Sequence, residues 1–274
     1  MAGMIETSDL GDATGATTWR LDLLGTWRLT TSGDVLEMGV NGRRMFALLA
    51  LRGRCDRPYL AGTLWPECSE AHAQGNLRAT LSRLHRRNLA GPLTCSTGGV
   101  LALRPEVEVD VHSVLAMARA VLDGDRAAPR KAVRVLACED LLLGWYDDWV
   151  LLGRERLRQL QLHALELTAQ QLTCSGRYAE AIEAAMAAVR LEPLRESATR
   201  VLIEVHLAED NVVEAIRRLE FFERSLAAEL GVEPSADLVN LVRSRQVRAR
   251  PRTNVADLPR LDQSRFLASR RTLA

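Results

Sequence analysis

Between Glu70 and Asn88 the chain places Arg78, Arg83, Arg86 and Arg87 against a single acid, Glu70, with leucines at 77, 81 and 84. Guanidinium groups are suited to one kind of recognition chemistry. Their planar fork of donors matches phosphate oxygens, and it matches the O6/N7 edge of guanine as a pair. If Leu77 is set at the centre of one helical face and each residue turns by about 100°, the opposite face carries His72, Gly75, Arg78, Ala79, Ser82, Arg83 and Arg86. Asn76 and Arg87 fall at its margin.

Small residues at Gly75, Ala79 and Ser82 allow such a helix to sink into a DNA groove while the long arginines reach around it. Base readout is therefore expected from Gln74, Asn76, Arg78, Ser82 and Arg83, with Arg78 bidentate to guanine and Asn76 or Gln74 facing adenine. Phosphate contacts are expected from Arg43, Arg44, His72, Arg86 and Arg87, which would set affinity and salt dependence without reading sequence. The plain alternative is that arginines on an exposed helix face are simply solvated, so the case depends on the elements around the helix.

Those elements begin at Trp19, where short alternating runs are punctuated by glycine: Arg20 to Leu24, Thr26 to Thr30, and Val35 to Met38. They predict a small antiparallel sheet, closed by Asn41-Gly42. The period then changes to a helical one over Arg43 to Arg52, breaks at Gly53 to Asp56, and resumes over Tyr59 to Trp65 and over Glu70 to Asn88. Leu93 to Cys95 and Val100 to Leu103 flank Ser96-Thr97-Gly98-Gly99, a hairpin signal. Sheet, three helices and hairpin in this order spell a winged helix-turn-helix. The tip of the wing holds no basic side chain, so the backbone amides of Gly98 and Gly99 are its expected phosphate contacts.

Beyond Val109 the pattern is helical throughout. Helices are expected from Asp110 through Leu122, over Arg130 to Leu142 and over Trp149 to Cys174. Gly176-Arg177-Tyr178-Ala179-Glu180-Ala181-Ile182 then recurs 34 positions later as Asp210-Asn211-Val212-Val213-Glu214-Ala215-Ile216, the tetratricopeptide period. Alanines at 181, 184, 185, 187 and 188 let paired helices approach closely. Trp145, Tyr146 and Trp149 lie on neighbouring turns and are expected to pack one domain on the other.

The expected fold is mostly α with a small β component. It has a leader (1–18), a winged helix-turn-helix (19–105), an all-α tetratricopeptide-like domain (106–242) and a basic, unfolded tail (243–274). The overall charge of +1 conceals segment charges of +3 for 1–105, −9 for 106–242 and +7 for 243–274. A polyanion would meet the first segment and the tail, and the middle would repel it. No apolar run approaches a membrane span and no export signal opens the chain, so the expected compartment is the cytoplasm, at the nucleoid. The five cysteines are scattered without a Cys-x-x-Cys pair, which argues for reduced, mostly semi-buried thiols with no metal. Lys131 follows no glycine-rich phosphate loop, and no nucleophile or metal constellation stands out. An enzyme is not expected, nor is a cofactor.

Several longer strings now form a pattern: Asn76-Leu77-Arg78-Ala79-Thr80-Leu81-Ser82-Arg83-Leu84, Gly144-Trp145-Tyr146-Asp147-Asp148-Trp149, Arg154-Glu155-Arg156-Leu157, Glu192-Pro193-Leu194-Arg195-Glu196-Ser197 and Glu229-Leu230-Gly231-Val232-Glu233-Pro234-Ser235. Through them the chain resembles a small Streptomyces antibiotic regulatory protein, a winged helix followed by a bacterial transcriptional activator domain, over about Trp19 to Leu241. The resemblance implies an activator of secondary-metabolite genes that binds direct repeats in double-stranded DNA and recruits RNA polymerase holoenzyme. Direct repeats imply two subunits placed head to tail, a homodimer on DNA. The chain departs from the family at the wing, where Val100 and Leu101 replace an aromatic-basic pair. Two other readings fit the residues: a helical-repeat scaffold that never touches DNA, and a repressor using the same winged helix.

Overall fold

A computed structural model describes residues 18–125 and 127–249. The expected leader, apart from Thr18, and the part of the expected tail from 250 onward lie outside the described residues. Strands β1 (Trp19–Asp22), β2 (Arg28–Thr31) and β3 (Asp34–Val35) form an antiparallel meander. Leu21, Leu23 and Leu29 point inward, and Asp22 accepts from Arg20 Nε at 2.8 Å and from Arg28 Nε at 3.0 Å. The sheet has a fourth member, β7 (Val107–Val109), which pairs parallel to β1 with Trp19 opposite Val107. The sheet is therefore mixed, in the order β3-β2-β1-β7. The expected domain boundary at 105 falls just before a strand that belongs to the N-terminal sheet. Parallel pairing with a partner more than eighty residues away leaves no local signal to read.

Helix α1 (Val40–Arg52) begins earlier than its periodicity suggests, and Asn41-Gly42 lies in its first turn instead of ending the sheet. Gly42 is required there because Met38 covers it: a Cβ would lie 2.8 Å from the Met38 side chain. β4 (Cys55–Asp56) leads into α2 (Arg57–Leu64), where the Asp56 carboxylate caps the helix by accepting from the Tyr59 amide at 2.7 Å. Helix α3 spans Glu70–Arg86. A single turn, α4 (Ala90–Leu93), runs through the Gly91-Pro92 pair expected to be a plain break. The wing strands β5 (Thr94–Thr97) and β6 (Val100–Leu103) follow, and β4 pairs with β6 to give a three-stranded wing sheet, β4-β6-β5.

Helix α5 (Asp110–Leu122) starts directly after β7. Helix α6 covers Pro129–Leu136 and stops six residues before the expected Leu142. The cause is tertiary. Leu141 bridges to Leu24, the Leu142 amide donates to the Leu23 carbonyl at 2.8 Å, and the Gly25 amide donates to the Asp140 carbonyl at 2.7 Å. Extended pairing with the N-terminal unit thus takes up the residues that would have continued the helix. The 27-residue α7 (Asp148–Cys174) carries Arg154, whose guanidinium donates to the carbonyls of Leu141, Leu142 and Trp145 and so fixes that extended segment. Trp149 is buried and meets Trp145 edge to face at 6.4 Å, as a packing role requires, whereas Tyr146 is 79% exposed and packs little.

Helices α8 (Tyr178–Leu191), α9 (Glu196–Ala208), α10 (Val212–Leu230) and α11 (Ala236–Ala249) stack in succession on α7. The 34-residue repeat is structural as well as sequential. Gly176 and Asp210 both adopt left-handed φ, at 70° and 60°, and the next residues, Arg177 and Asn211, have nearly equal ψ values of 63° and 65°. Ala181 and Ala215 are both fully buried at matching places. Helix α11 continues to Ala249, so the boundary expected at 243 lies within a helix. Among the described residues no helix is long and apolar enough to cross a membrane.

One buried cluster extends from Leu21 and Leu23 through Met45, Phe46 and Leu77 to Val114, Leu157 and Leu162, so the two halves of the chain share a core. Asp110 stands at the joint. Its carboxylate accepts from the Leu23 amide at 2.9 Å, the Leu24 amide at 2.9 Å and the Val111 amide at 2.6 Å. A single side chain thereby ends β1 and starts α5, combining helix N-terminal stabilisation with charge-assisted bonding.

The cysteines divide differently from the expectation of semi-burial, since Cys68, Cys95 and Cys174 are exposed, Cys138 is half-buried and Cys55 is buried. No group of three metal-ligating side chains occurs among the described residues. Burial pushes the Cys138 thiol up to about 11. Iodoacetamide at pH 8 is therefore expected to alkylate Cys68, Cys95 and Cys174 well before Cys138 and Cys55, as mass spectrometry of tryptic peptides can score. Early labelling of Cys138 would contradict the packing around it. Asp110→Ala leaves the Leu23 and Leu24 amides without their acceptor and is expected to cost about 2–4 kcal/mol in urea unfolding, with Asp110→Asn losing about half as much. A loss below about 0.5 kcal/mol, the range of ordinary surface substitutions, would show that the carboxylate does not hold the joint.

Candidate nucleic-acid interface

The position of α3 follows from its own leucines. Ala73, Leu77, Thr80, Leu81 and Leu84 are buried, and the helix lies against α1, α2 and α4. Thr80 offsets its burial by donating its hydroxyl to the Asn76 carbonyl at 2.8 Å. The residues expected on the outer face emerge there: His72, Arg78, Ala79, Ser82, Arg83, Arg86 and Arg87 are all exposed, while Gln74, Gly75 and Asn76 are half-buried at its margin. Helical geometry requires this, because a stripe near one-third of the circumference is enough to fix the rest.

Partners separate these side chains into two groups. Arg78, Arg86 and Arg87 have no acidic partner among the described residues, and Arg83 makes only a 3.5 Å contact to the Thr80 hydroxyl. A Cβ on Gly75 would lie 3.9 Å from Nη2 of Arg78, so that guanidinium lies near bare backbone. His72 bonds to the Ser69 hydroxyl at 2.9 Å near the start of α3, and Asn76 reaches back toward the Cys68 sulfur at 4.0 Å.

The two arginines of α1 are engaged elsewhere. Arg44 pairs with Asp147 across the junction between the two halves of the chain, both side chains about four-fifths buried. Arg43 donates to the Met38 carbonyl at 2.7 Å and to Glu37 at 3.2 Å, and its guanidinium lies 5.3 Å from the centre of the Trp27 ring. The Arg44–Asp147 pair is partly desolvated, so removing one partner would leave a charge uncompensated, whereas Glu37 is largely exposed and its pair with Arg43 holds little. Arg44 thus joins the two halves and Arg43 braces the β3–α1 turn, so neither of these two residues expected at phosphates stands free in the structure.

Two concavities flank the exposed face of α3. One, of about 550 Å³, lies between the amino end of α1 and the last turns of α3, lined by Gly39, Val40, Asn41, Arg83, Arg86 and Arg87. Helix α1 has neither an acid in its first turn nor a side-chain cap, and its amino end shares this concavity with three guanidiniums. The other, of about 340 Å³, lies between α3 and the wing, where Arg57, Arg78 and His85 converge above Thr94 and Ser96. Arg57 was not among the residues expected from sequence. It stands between an Asp56 read as part of a break and a helix expected to start at Tyr59, and only the pairing of β4 with β6 carries it to the wing. At the wing tip Gly98 and Gly99 are exposed with φ of 58° and 83°. Arg104 secures the wing base by donating to the Gly91 carbonyl at 2.5 Å.

Comparison with known proteins agrees with this architecture. Residues 110–244 match the family model of the bacterial transcriptional activator domain. The chain is 30% identical over 245 residues to the regulatory protein AfsR of Streptomyces coelicolor, and 28% identical over 242 residues to AfsR of Streptomyces griseus. In each case 81% of this chain is aligned, and it spans only 24% of the relative's length. Among solved structures, the fold resembles Mycobacterium tuberculosis EmbR, solved in complex with a low-affinity phosphopeptide, with a TM-score of 0.65 at 21% identity over 86% of this chain and 66% of that one. The chain thus carries a bacterial transcriptional activator domain that opens where Asp110 starts α5, preceded by a winged helix, and it is similar along most of its length to regulatory proteins of the AfsR type.

Proposed function

We propose that the chain binds double-stranded DNA with α3 in the major groove, reads direct repeats near a promoter as a head-to-tail homodimer, and recruits RNA polymerase to a secondary-metabolite gene cluster. The observation that carries this reading is the outer face of α3, where Arg78, Ser82, Arg83 and Arg86 stand exposed around the small residues Gly75 and Ala79. Exposed guanidiniums without carboxylate partners keep their donors available for phosphates and base edges.

In this reading Arg78, Ser82 and Arg83 contact bases directly, and Gln74 and Asn76 do so from the margin. Arg86 and Arg87, together with the amides at the start of α1, seat one backbone phosphate. Arg57 reaches the same strand from the wing side, and Gly98 and Gly99 offer backbone amides. Head-to-tail subunits need unlike surfaces in contact, which suits direct repeats and not palindromes. The regulatory names of the AfsR relatives support transcriptional control, and a DNA-bound activator works in the bacterial cytoplasm, at the nucleoid.

Footprinting on the promoters flanking its own gene, at two salt concentrations, tests the proposal. Spaced direct repeats should be protected, with affinity falling steeply as salt rises. Arg78→Ala should weaken the specific site by about 10- to 100-fold and relax discrimination at one base pair. Arg86→Ala or Arg87→Ala should weaken all sequences alike and lower the salt slope by about 1. Leu77→Ala, on the buried face, should instead destabilise the fold by about 2–5 kcal/mol, and Arg78→Ala should alter stability by less than about 0.5 kcal/mol. Unchanged DNA affinity after charge reversal at both Arg78 and Arg83 would leave the helical-repeat scaffold as the better account.

A further inference from the structure

A second site is formed where α1, α5 and α7 meet, around three arginines that the proposed function does not use. A groove of about 200 Å³ is floored by Leu51, Leu141 and Leu157 and continues outward over Leu152, which is 66% exposed. Arg52, Arg119 and Arg156 stand along its rim, one from each helix. None of the three has an ion pair or a side-chain hydrogen bond among the described residues, although they lie in or beside a segment, 106–242, whose net charge is −9. Their neighbours differ: Arg154 is satisfied by three carbonyls and Arg158 by Glu155 and Glu192. Arg52 and Arg119 lie in the last turns of α1 and α5, where the carbonyl ends of the helices offset the repulsion between them.

Gly153 points to an occupant. It lies inside the longest helix of the described residues, where glycine is a poor choice beside alanine because it loses more backbone freedom. Packing does not demand it. A Cβ there would rest at ordinary contact distance, 3.5 Å from Leu51 and 3.5 Å from Leu141, and would take space from the floor of the groove. The missing methyl therefore keeps an apolar recess open beneath three unpaired cations.

We propose that this groove binds a small amphipathic carboxylate, its apolar body on the leucine floor beside Gly153 and its head among Arg52, Arg119 and Arg156. A recess of only about 200 Å³ favours a small molecule over a peptide, and an apolar cleft with a few convergent polar groups is the usual form of a ligand site. Its walls come from both halves of the chain, so a bound ligand clamps α1 to α5 and α7 and stabilises their docked arrangement by mass action.

Calorimetric titration of the full chain with octanoate, with 1-octanol as the neutral counterpart, tests this. Octanoate should bind saturably at one site, and octanol at least about 10-fold more weakly, the ratio expected from losing charge-assisted bonds. Arg52→Gln combined with Arg119→Gln should weaken octanoate by a similar factor. Gly153→Ala, which the helix accepts without a clash, should weaken it several-fold while raising the melting temperature of the free protein. Absence of saturable octanoate binding, equal affinity for octanol, or unchanged affinity in the Gly153→Ala chain with its fold intact would each overturn the proposal.

Discussion

The contact on which the architecture depends is the carboxylate of Asp110, which gathers three backbone amides from two places far apart in sequence. Buried amides must find acceptors, and the ends of β1 and of the following turn have none within the sheet. Supplying one from the first residue of α5 commits the helical half to a single position against the N-terminal sheet. The parallel pairing of β7 with β1, the extended segment around Leu141 and the Arg44 bridge to Asp147 all follow from that placement. Each would lose its geometry if the joint opened.

The placement also determines which arginines remain available. Guanidiniums at the junction are drawn into pairs or onto carbonyls, as with Arg44 and Arg154, because a partly desolvated charge without a partner is costly. Those on the far side of α3 face water and incur no such penalty. The division between structural and available cations therefore follows from burial, and residue type alone does not reveal it. Arg43 and Arg86 look equivalent in the sequence and have opposite fates.

Local periodicity made much of the molecule legible. The leucine stripe of α3 set its outer face residue by residue, the wing turn lies where its residue types require, and the 34-residue offset marks two copies with matching backbone. What stayed hidden depends on long-range pairing. β7 and β4 are too short to show a period and exist because a distant strand accepts them. The early end of α6 is imposed by contact with Leu23 to Gly25, and Arg57 reaches the wing only through the β4–β6 pairing. The partners of Arg43 and Arg44 were hidden for a related reason: Glu37, Met38 and Asp147 become their neighbours only once the chain has folded.

The passage from wing to helical half is unusually short. Only Arg104, Pro105 and Glu106 separate β6 from β7, and the Val107 amide closes that turn on the Arg104 carbonyl at 3.1 Å. With no slack in the tether and a core common to both sides, the molecule is a bracket and not a pair of beads. The shared core joins the sheet and α1–α3 to α5–α9, while α10 and α11 pack in a cluster of their own against α9. If two copies sit on DNA as proposed, half a turn of duplex inserted between their sites would turn their facing surfaces to opposite sides of the helix.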